Sequence, residues 1–232
     1  TFLGKFLIQS IRMDQKEYSE LLGPVERVFG RSVARYGSRP KAVAWRDGKR
    51  QIKRFGIFSQ LFSLTSEDTS FVVNDLGCGY GALFIYLKNL PEFNKSSYFG
   101  YDISSDMITE AKKHLTDPRA TWIRSHIATE PGDFSFASGT YNMLMNADED
   151  RWREYVEDNL MQLWSKTRLA LCFNMLSNKS PRRQKTLYYA DQDHFTQFCK
   201  NNMDAKVIMS DVLSPEEFVI FVVRKQVSEK EN

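Results

Sequence analysis

The chain has 232 residues, 42% hydrophobic and 26% charged, an ordinary balance for a folded protein and enough length for one α/β domain with a large buried core. Its formal net charge of +3 comes from 32 cationic and 29 anionic side chains, interleaved along the chain, which argues against the single-sign stripe of a nucleic-acid or membrane-surface binder. Cys78, Cys172 and Cys199 are an odd number with no C-x-x-C spacing, so reduced thiols in a cytoplasmic protein are expected rather than a disulfide framework.

Phe2, Leu3, Phe6, Leu7, Ile8 and Ile11 form an apolar run broken by Lys5 and Gln9. The run is too short to span a bilayer, and no small-residue cleavage site follows it. It is read as a helical extension packed on the domain or on a second subunit, which allows a homodimer, or as a stretch ahead of a start at Met13. Helical spacing of apolar residues then predicts helices over residues 14–36 and 51–63, with turns at Gly37-Ser38-Arg39-Pro40 and Asp47-Gly48. Residues 1–64 are read as an N-terminal helical lid, residues 65–225 as the core and residues 226–232 as a charged tail.

The core opens with a strand over residues 70–75, where Phe71, Val72 and Val73 suit a buried parallel strand. The strand runs into Asp75-Leu76-Gly77-Cys78-Gly79-Tyr80-Gly81 and then a helix over residues 81–90. Glycines at alternate positions let the backbone turn tightly and approach a ligand. The N–H groups of a helix opening at Tyr80 or Gly81 face whatever lies beyond the strand end. Gly77, Gly79 and Ala82 also satisfy the dinucleotide-binding pattern, so Asp75 has to separate the two readings. A carboxylate under the loop repels a pyrophosphate and favours a ligand with a cationic amino group and a sulfonium, such as S-adenosylmethionine. A second strand over residues 97–102 ends in Asp102, placed to accept both hydroxyls of a ribose.

Helices over residues 105–115, 150–166 and 192–202 alternate with strands over residues 120–124, 133–138 and 167–174, the pattern of a parallel sheet with crossover helices. Residues 205–210 and 217–223 read as two strands with Ser214-Pro215 between them and no room for a helix, hence a hairpin. The expected fold class is α/β: a Rossmann-like, seven-stranded, mostly parallel sheet with an antiparallel C-terminal strand, helices on both faces and an N-terminal helical lid. Asp148, Glu149 and Asp150 fall at a helix start, where they complement the helix dipole rather than hold a metal.

DLGCGYG at the glycine turn, YDIS at the acidic end of the second strand, and the order of the later elements resemble the class I S-adenosylmethionine-dependent methyltransferases, over residues 16–224. The resemblance implies S-adenosylmethionine as cofactor, with Asp75, Gly77, Gly79, Gly81 and Asp102 in its site. Ile103 and Met107 are expected against the adenine. Ser125, or a backbone group, stands where the family has a carboxylate or amide for the adenine amine. Ser138, Gly139 and Asn142, at the end of the fourth strand, are expected on the sulfonium side. Tyr36-Gly37, Trp45 and Gln51-Ile52-Lys53-Arg54-Phe55, together with FNMLS, LYYAD and FCK further on, are similar to a bacterial small-molecule subgroup that includes a phosphonate O-methyltransferase. In that likeness Arg54 pairs bidentately with the cofactor's methionine carboxylate, and Tyr36 lies over the methyl group.

The loop from Asn174 to Asp191 carries Lys179, Arg182, Arg183 and Lys185, cations suited to an anionic substrate, and Tyr188 and Tyr189 to wall it. Tyr36, Asn142, Arg183 and Tyr188 are therefore the expected substrate residues. No Asn-Pro-Pro-Tyr or Asp-Pro-Pro-Tyr follows the fourth strand, which in the family would imply methylation of an exocyclic amine or of glutamine. The expected activity is S-adenosylmethionine-dependent methylation (EC 2.1.1.-) of a small anionic or hydroxylated metabolite, O-directed, with neither nucleic acid nor membrane as partner. N-methylation of a small amine and a noncatalytic cofactor-binding subunit are the alternatives. Tyr36, His126, His194 and Asp191 are open as general bases, and no catalytic residue is assigned.

Overall fold

The computed structural model describes residues 15–37, 48–66 and 68–225. Its strands are β1 (Val72–Leu76), β2 (Ser97–Asp102), β3 (Ala120–Arg124), β4 (Gly132–Ser138), β5 (Thr167–Leu176), β6 (Ala205–Ser210) and β7 (Glu217–Arg224). Its α-helices are α1 (Gln15–Tyr36), α2 (Gly48–Ser59), α3 (Ala82–Leu87), α4 (Ser105–His114), α5 (Glu149–Ser165) and α6 (Gln192–Asn202). The apolar run near Phe2, the turn with Trp45 and the charged tail lie outside the described residues.

The strands form one sheet in the order β3-β2-β1-β4-β5-β7-β6. Only β7 runs against its neighbours, pairing antiparallel with both β5 and β6. The expected seven-stranded sheet and C-terminal hairpin are therefore both present. Strand order reverses between β1 and β4, which leaves a crevice at the carboxyl ends of these two strands.

Alternation along the inner strands assigns side chains to the two faces. On β5, Leu171, Phe173 and Met175 join a core with Leu22 of α1 and Trp152 and Leu160 of α5. Ala170 and Cys172 join a second core with Phe55 and Phe58 of α2 and Phe84 of α3. Both faces are buried, which is why these strands read as continuous apolar runs. α1 packs on α4, so the N-terminal helices rest directly against the Rossmann-like unit.

Element boundaries follow local chemistry. Ser104 accepts from Met107 N–H to cap α4, and Asp148 and Asp191 cap α5 and α6. α3 ends at Leu87, short of residue 90, where the chain turns into a 3-10 segment opened by Pro91. β5 continues to Leu176 rather than stopping at residue 174, and the segment beyond it folds back onto the domain. Ala190 N–H donates to Leu176 O at 2.8 Å, and both Tyr188 and Ala190 are buried. Among the described residues no helix is long and apolar enough to cross a membrane.

Candidate active site

Backbone bonds and one carboxylate shape the glycine turn after β1. Gly77 and Cys78 both donate to the Tyr101 carbonyl, at 2.8 and 2.9 Å. Asp102 closes the turn from β2: its Oδ2 accepts from Gly79 N–H and its Oδ1 from Ser104 N–H, each at 2.8 Å. Gly77, Gly79 and Gly81 have φ of 75, 55 and 90°, a region side chains rarely enter. At Gly81 space forbids a side chain as well, since a Cβ would lie 2.5 Å from Leu115 and Trp122.

Asp75 lies beneath this turn and is 2% exposed. The Tyr98 hydroxyl donates to its Oδ2 at 2.5 Å, while Oδ1 is buried without a hydrogen-bond partner. Burial pushes the Asp75 carboxyl up to about 7 against the opposing hydrogen bond from Tyr98. Burial also raises Asp102 to about 6, opposed by the N–H groups of Ser104 and Gly79.

Both carboxylates line a cleft of about 910 Å³, a figure that includes its open mouth. Its floor is the glycine turn. Ile103, Met107, Ser125 and His126 form one wall, and residues 138–140 the other. Leu22, Val25 and Phe29 of α1, Gln51 and Phe55 of α2, and Trp152 and Tyr155 of α5 complete the enclosure. Among the described residues no lysine or arginine lines it, and burial lowers the pKa of His126, favouring the neutral ring.

An anionic floor under apolar walls suits a ligand that carries positive charge and flat rings. The unpartnered Asp75 Oδ1 is the specific sign of fit, because a buried carboxylate oxygen is costly until a donor or cation meets it. Each Asp102 oxygen keeps a second acceptor site for hydroxyl donors. Ile103 and Met107 offer an apolar surface to a ring. S-adenosylmethionine, with an ammonium, a sulfonium, a ribose and an adenine, matches this set.

Asp75, Gly77, Gly79, Asp102, Ile103, Met107, Ser125 and Ser138 thus come together at one cleft, with Gly81 behind the turn against Trp122. The Ser125 hydroxyl is already engaged by Ile127, donating to its carbonyl at 2.7 Å and accepting from its N–H at 3.1 Å. Arg54 does not line the cleft. It is fully buried, and its Nη1 donates to Glu217 Oε2 at 3.0 Å, so a carboxylate of this chain occupies the guanidinium expected to meet the cofactor. Burial brings Arg54 down to about 10, with Glu217 opposing.

The four expected substrate residues also lie off the cleft wall. Tyr36 ends α1 with Arg35 over its ring at 5.5 Å. Asn142 is turned inward, its Oδ1 accepting from Leu176 N–H at 3.1 Å. Tyr188 is buried in the core. Arg183 is exposed, donating to the Asn178 carbonyl and lying 5.4 Å over the Tyr189 ring. Of the possible bases, Asp191 caps α6 and His194 Nε2 is 2.6 Å from Glu157. His126 lines the cleft, its ring 4.6 Å from that of Tyr18. Of the enclosing residues, Gln51 and Phe55 belong to the lid series quoted from the sequence, whereas those of α1 and α5 carry no separate signal there, because an apolar helical stripe looks the same whether it covers a core or a ligand.

Residues 73–163 match the family model described as "Methyltransferase domain". The Mycobacterium tuberculosis (strain ATCC 25618 / H37Rv) protein named "Putative methyltransferase Rv1506c" is 32% identical over 155 residues, an alignment covering 66% of this chain and 92% of that protein. Magnesium protoporphyrin IX methyltransferase (ChlM) from Synechocystis PCC 6803, solved with bound SAH, superposes with a TM-score of 0.55 at 14% identity, over 91% of this chain and 100% of that one. The plantazolicin methyltransferase BamL, solved with a triazolic desmethylPZN analog and SAH, gives a TM-score of 0.57 at 16% identity, over 89% and 98%. At these identities the two structures are likenesses of fold.

Proposed function

We propose that this chain, which belongs to the class I S-adenosylmethionine-dependent methyltransferases, methylates an oxygen of a small hydroxylated metabolite admitted beneath α1, α2 and α5. Bound S-adenosylmethionine supplies an activated methyl group on a sulfonium. Asp75 and the glycine turn hold its cationic portion, Asp102 its ribose, and Ile103 and Met107 its adenine. The apolar residues of α1, α2 and α5 exclude water and position the acceptor oxygen for transfer from the sulfonium, which leaves as a neutral thioether. A hydroxyl acceptor must also release its proton, and the neutral His126 ring is the lining base that can take it.

The observation that carries the acceptor class is the charge of the lining. Its ionisable acids are Asp75 and Asp102, and no described lysine or arginine joins them. Of the two acceptor classes expected from the sequence, this favours a neutral hydroxylated compound over an anionic one, since Lys179, Arg182, Arg183 and Lys185 are exposed away from the cleft. The fold neighbours are named for a porphyrin and for plantazolicin, and those names support a non-macromolecular acceptor. The free, buried thiols of Cys78, Cys172 and Cys199 support a reducing, cytoplasmic setting. In this reading α1 and α2 serve as the lid.

Incubation with methyl-labelled cofactor tests the proposal against panels of hydroxylated metabolites, carboxylates and phosphonates, small amines, and DNA, RNA and protein. Label entering hydroxylated metabolites is expected. Label confined to a macromolecule or to amines overturns the acceptor class. Binding of S-adenosylhomocysteine without turnover on any panel favours a noncatalytic subunit.

A further inference from the structure

Arg54 leads away from the cleft wall into a relay of buried polar side chains that returns to it. Glu217, the first residue of β7, is 4% exposed. Its Oε2 accepts from Arg54 Nη1 at 3.0 Å and from Asn174 Nδ2 at 2.8 Å. Asn174, on β5, is fully buried, and its Oδ1 accepts from Gly139 N–H at 2.9 Å. Gly139 follows β4 with a φ of 70° and lines the cleft. Asn174 pairs with Val219 and Leu176 with Glu217, so Asn174 and Glu217 are diagonal neighbours on one face of the sheet. α2 covers that face, and the turn of α2 that carries Arg54 also sends Gln51 and Phe55 to the cleft.

We propose that Glu217 is a positioning residue for the cofactor cleft: without lining it, this carboxylate orients the Asn174 amide and thereby fixes Gly139 at the end of β4 relative to α2. The chemistry requires an acceptor-only group at position 217. A carboxylate accepts and does not donate, so Asn174 must turn its NH₂ toward Glu217 and its oxygen toward the Gly139 N–H. A carboxamide at position 217 accommodates either orientation, including the one that sets an NH₂ against the Gly139 N–H and leaves both donors unsatisfied. A packing role alone would not need the ion, because buried pairs are often replaced by apolar residues without loss. The relay also accounts for the pairing of Arg54 away from the cleft, where a contact with the cofactor is expected from the sequence: Arg54 balances the charge that orients Asn174.

Two measurements on the intact protein test this: amide hydrogen exchange without ligand, read at Gly139 and at Val73 of β1, and calorimetric affinity for S-adenosylhomocysteine. In Glu217→Gln, exchange at Gly139 is expected to rise about tenfold with Val73 unchanged, and the Kd for S-adenosylhomocysteine to rise by about the same factor. Asn174→Ala removes the Gly139 acceptor while keeping the Arg54–Glu217 pair, and serves by the same readouts if Glu217→Gln does not fold. Parent-like exchange and affinity in the folded single variants, or equal acceleration at Val73, each overturn the proposal.

Discussion

The floor of the cleft and its β5–β7 flank are held in different ways. On the floor, Asp102 reaches Gly79 across 23 positions of chain, and both of its hydrogen bonds go to backbone N–H groups. On the flank, side chain meets side chain: Asn174 and Glu217 are 43 positions apart, and Arg54 and Glu217 are 163 apart. The floor is part of the fold itself, because its bonds close a turn between adjacent parallel strands, and a Cβ would meet Thr140 at 2.7 Å from Gly77 and Leu115 and Trp122 at 2.5 Å from Gly81. The flank is a set of polar contacts over a sheet that pairs through its own ladder. Damage to the floor should therefore cost stability and binding together, whereas damage to the flank should cost binding first.

Gly81→Ala is the hardest strain on that contrast. It combines a φ of 90° with a Cβ 2.5 Å from Leu115 and Trp122, so a loss of about 3 kcal/mol is expected from the sum of backbone strain and overpacking. Denaturant unfolding measures it, and a loss under about 1 kcal/mol would mean that the turn is not sterically fixed.

Asp102→Ala comes next. Gly79 and Ser104 lose their acceptor, for about 2 kcal/mol of stability, and affinity for S-adenosylhomocysteine should fall at least about tenfold once the ribose acceptor goes too. Unfolding and calorimetry on the same sample separate the two losses. A variant that binds poorly but unfolds like the parent would erase the distinction between floor and flank.

A smaller and reversible probe is pH. The Asp75 carboxyl is raised from 3.8 to about 7 and that of Asp102 from 3.8 to about 6, both mainly by burial. A carboxyl raised in the folded state stabilises the unliganded protein fully below 3.8, and that contribution is lost as pH climbs through about 6 to about 7. Binding of a cation needs the ionised form and runs the other way. From about pH 5 to about pH 8 the unliganded protein should lose stability from these groups while its gain on adding S-adenosylhomocysteine grows. Asp75→Asn should flatten both trends, as followed by thermal unfolding with and without ligand. Parallel trends with pH would remove Asp75 from contact with the ligand's charge.

The same division explains what could be read from the residues alone. Asp75, Gly77, Gly79 and Asp102 stand close in the chain and have few alternative uses in that order, so their meeting was legible. The sheet was legible too, since strands buried on both faces leave continuous apolar runs, and β3 and α6 fall on the predicted residues. The sequence marks Arg54 as special, but its partner Glu217 sits across the chain in a hairpin whose sequence shows only β propensity. Val25, Phe55 and Trp152 enclose the cleft yet carry the same stripe as any amphipathic helix. Tyr188 reads from the sequence as the wall of a polar loop, and composition cannot show that its N–H donates to Asn142 O at 2.9 Å and that its ring lies in the core.

The smallest effect is expected at Arg183. Its sequence setting, among four cations beyond the fifth strand, suggested an anion contact whose loss would raise the acceptor's KM. Its position, exposed with its guanidinium on the Asn178 carbonyl and the Tyr189 ring, points instead to a local tie within the loop. Exposed contacts of this kind contribute little, so Arg183→Ala should leave stability within about 0.5 kcal/mol of the parent. Affinity for S-adenosylhomocysteine and the acceptor's KM should both stay within about twofold. Steady-state kinetics on the acceptor found by labelling decides the matter. A KM raised about tenfold at unchanged kcat would bring the loop over the cleft during turnover and restore an anionic acceptor. In that event the flank, rather than the floor, would set which substrate the enzyme takes.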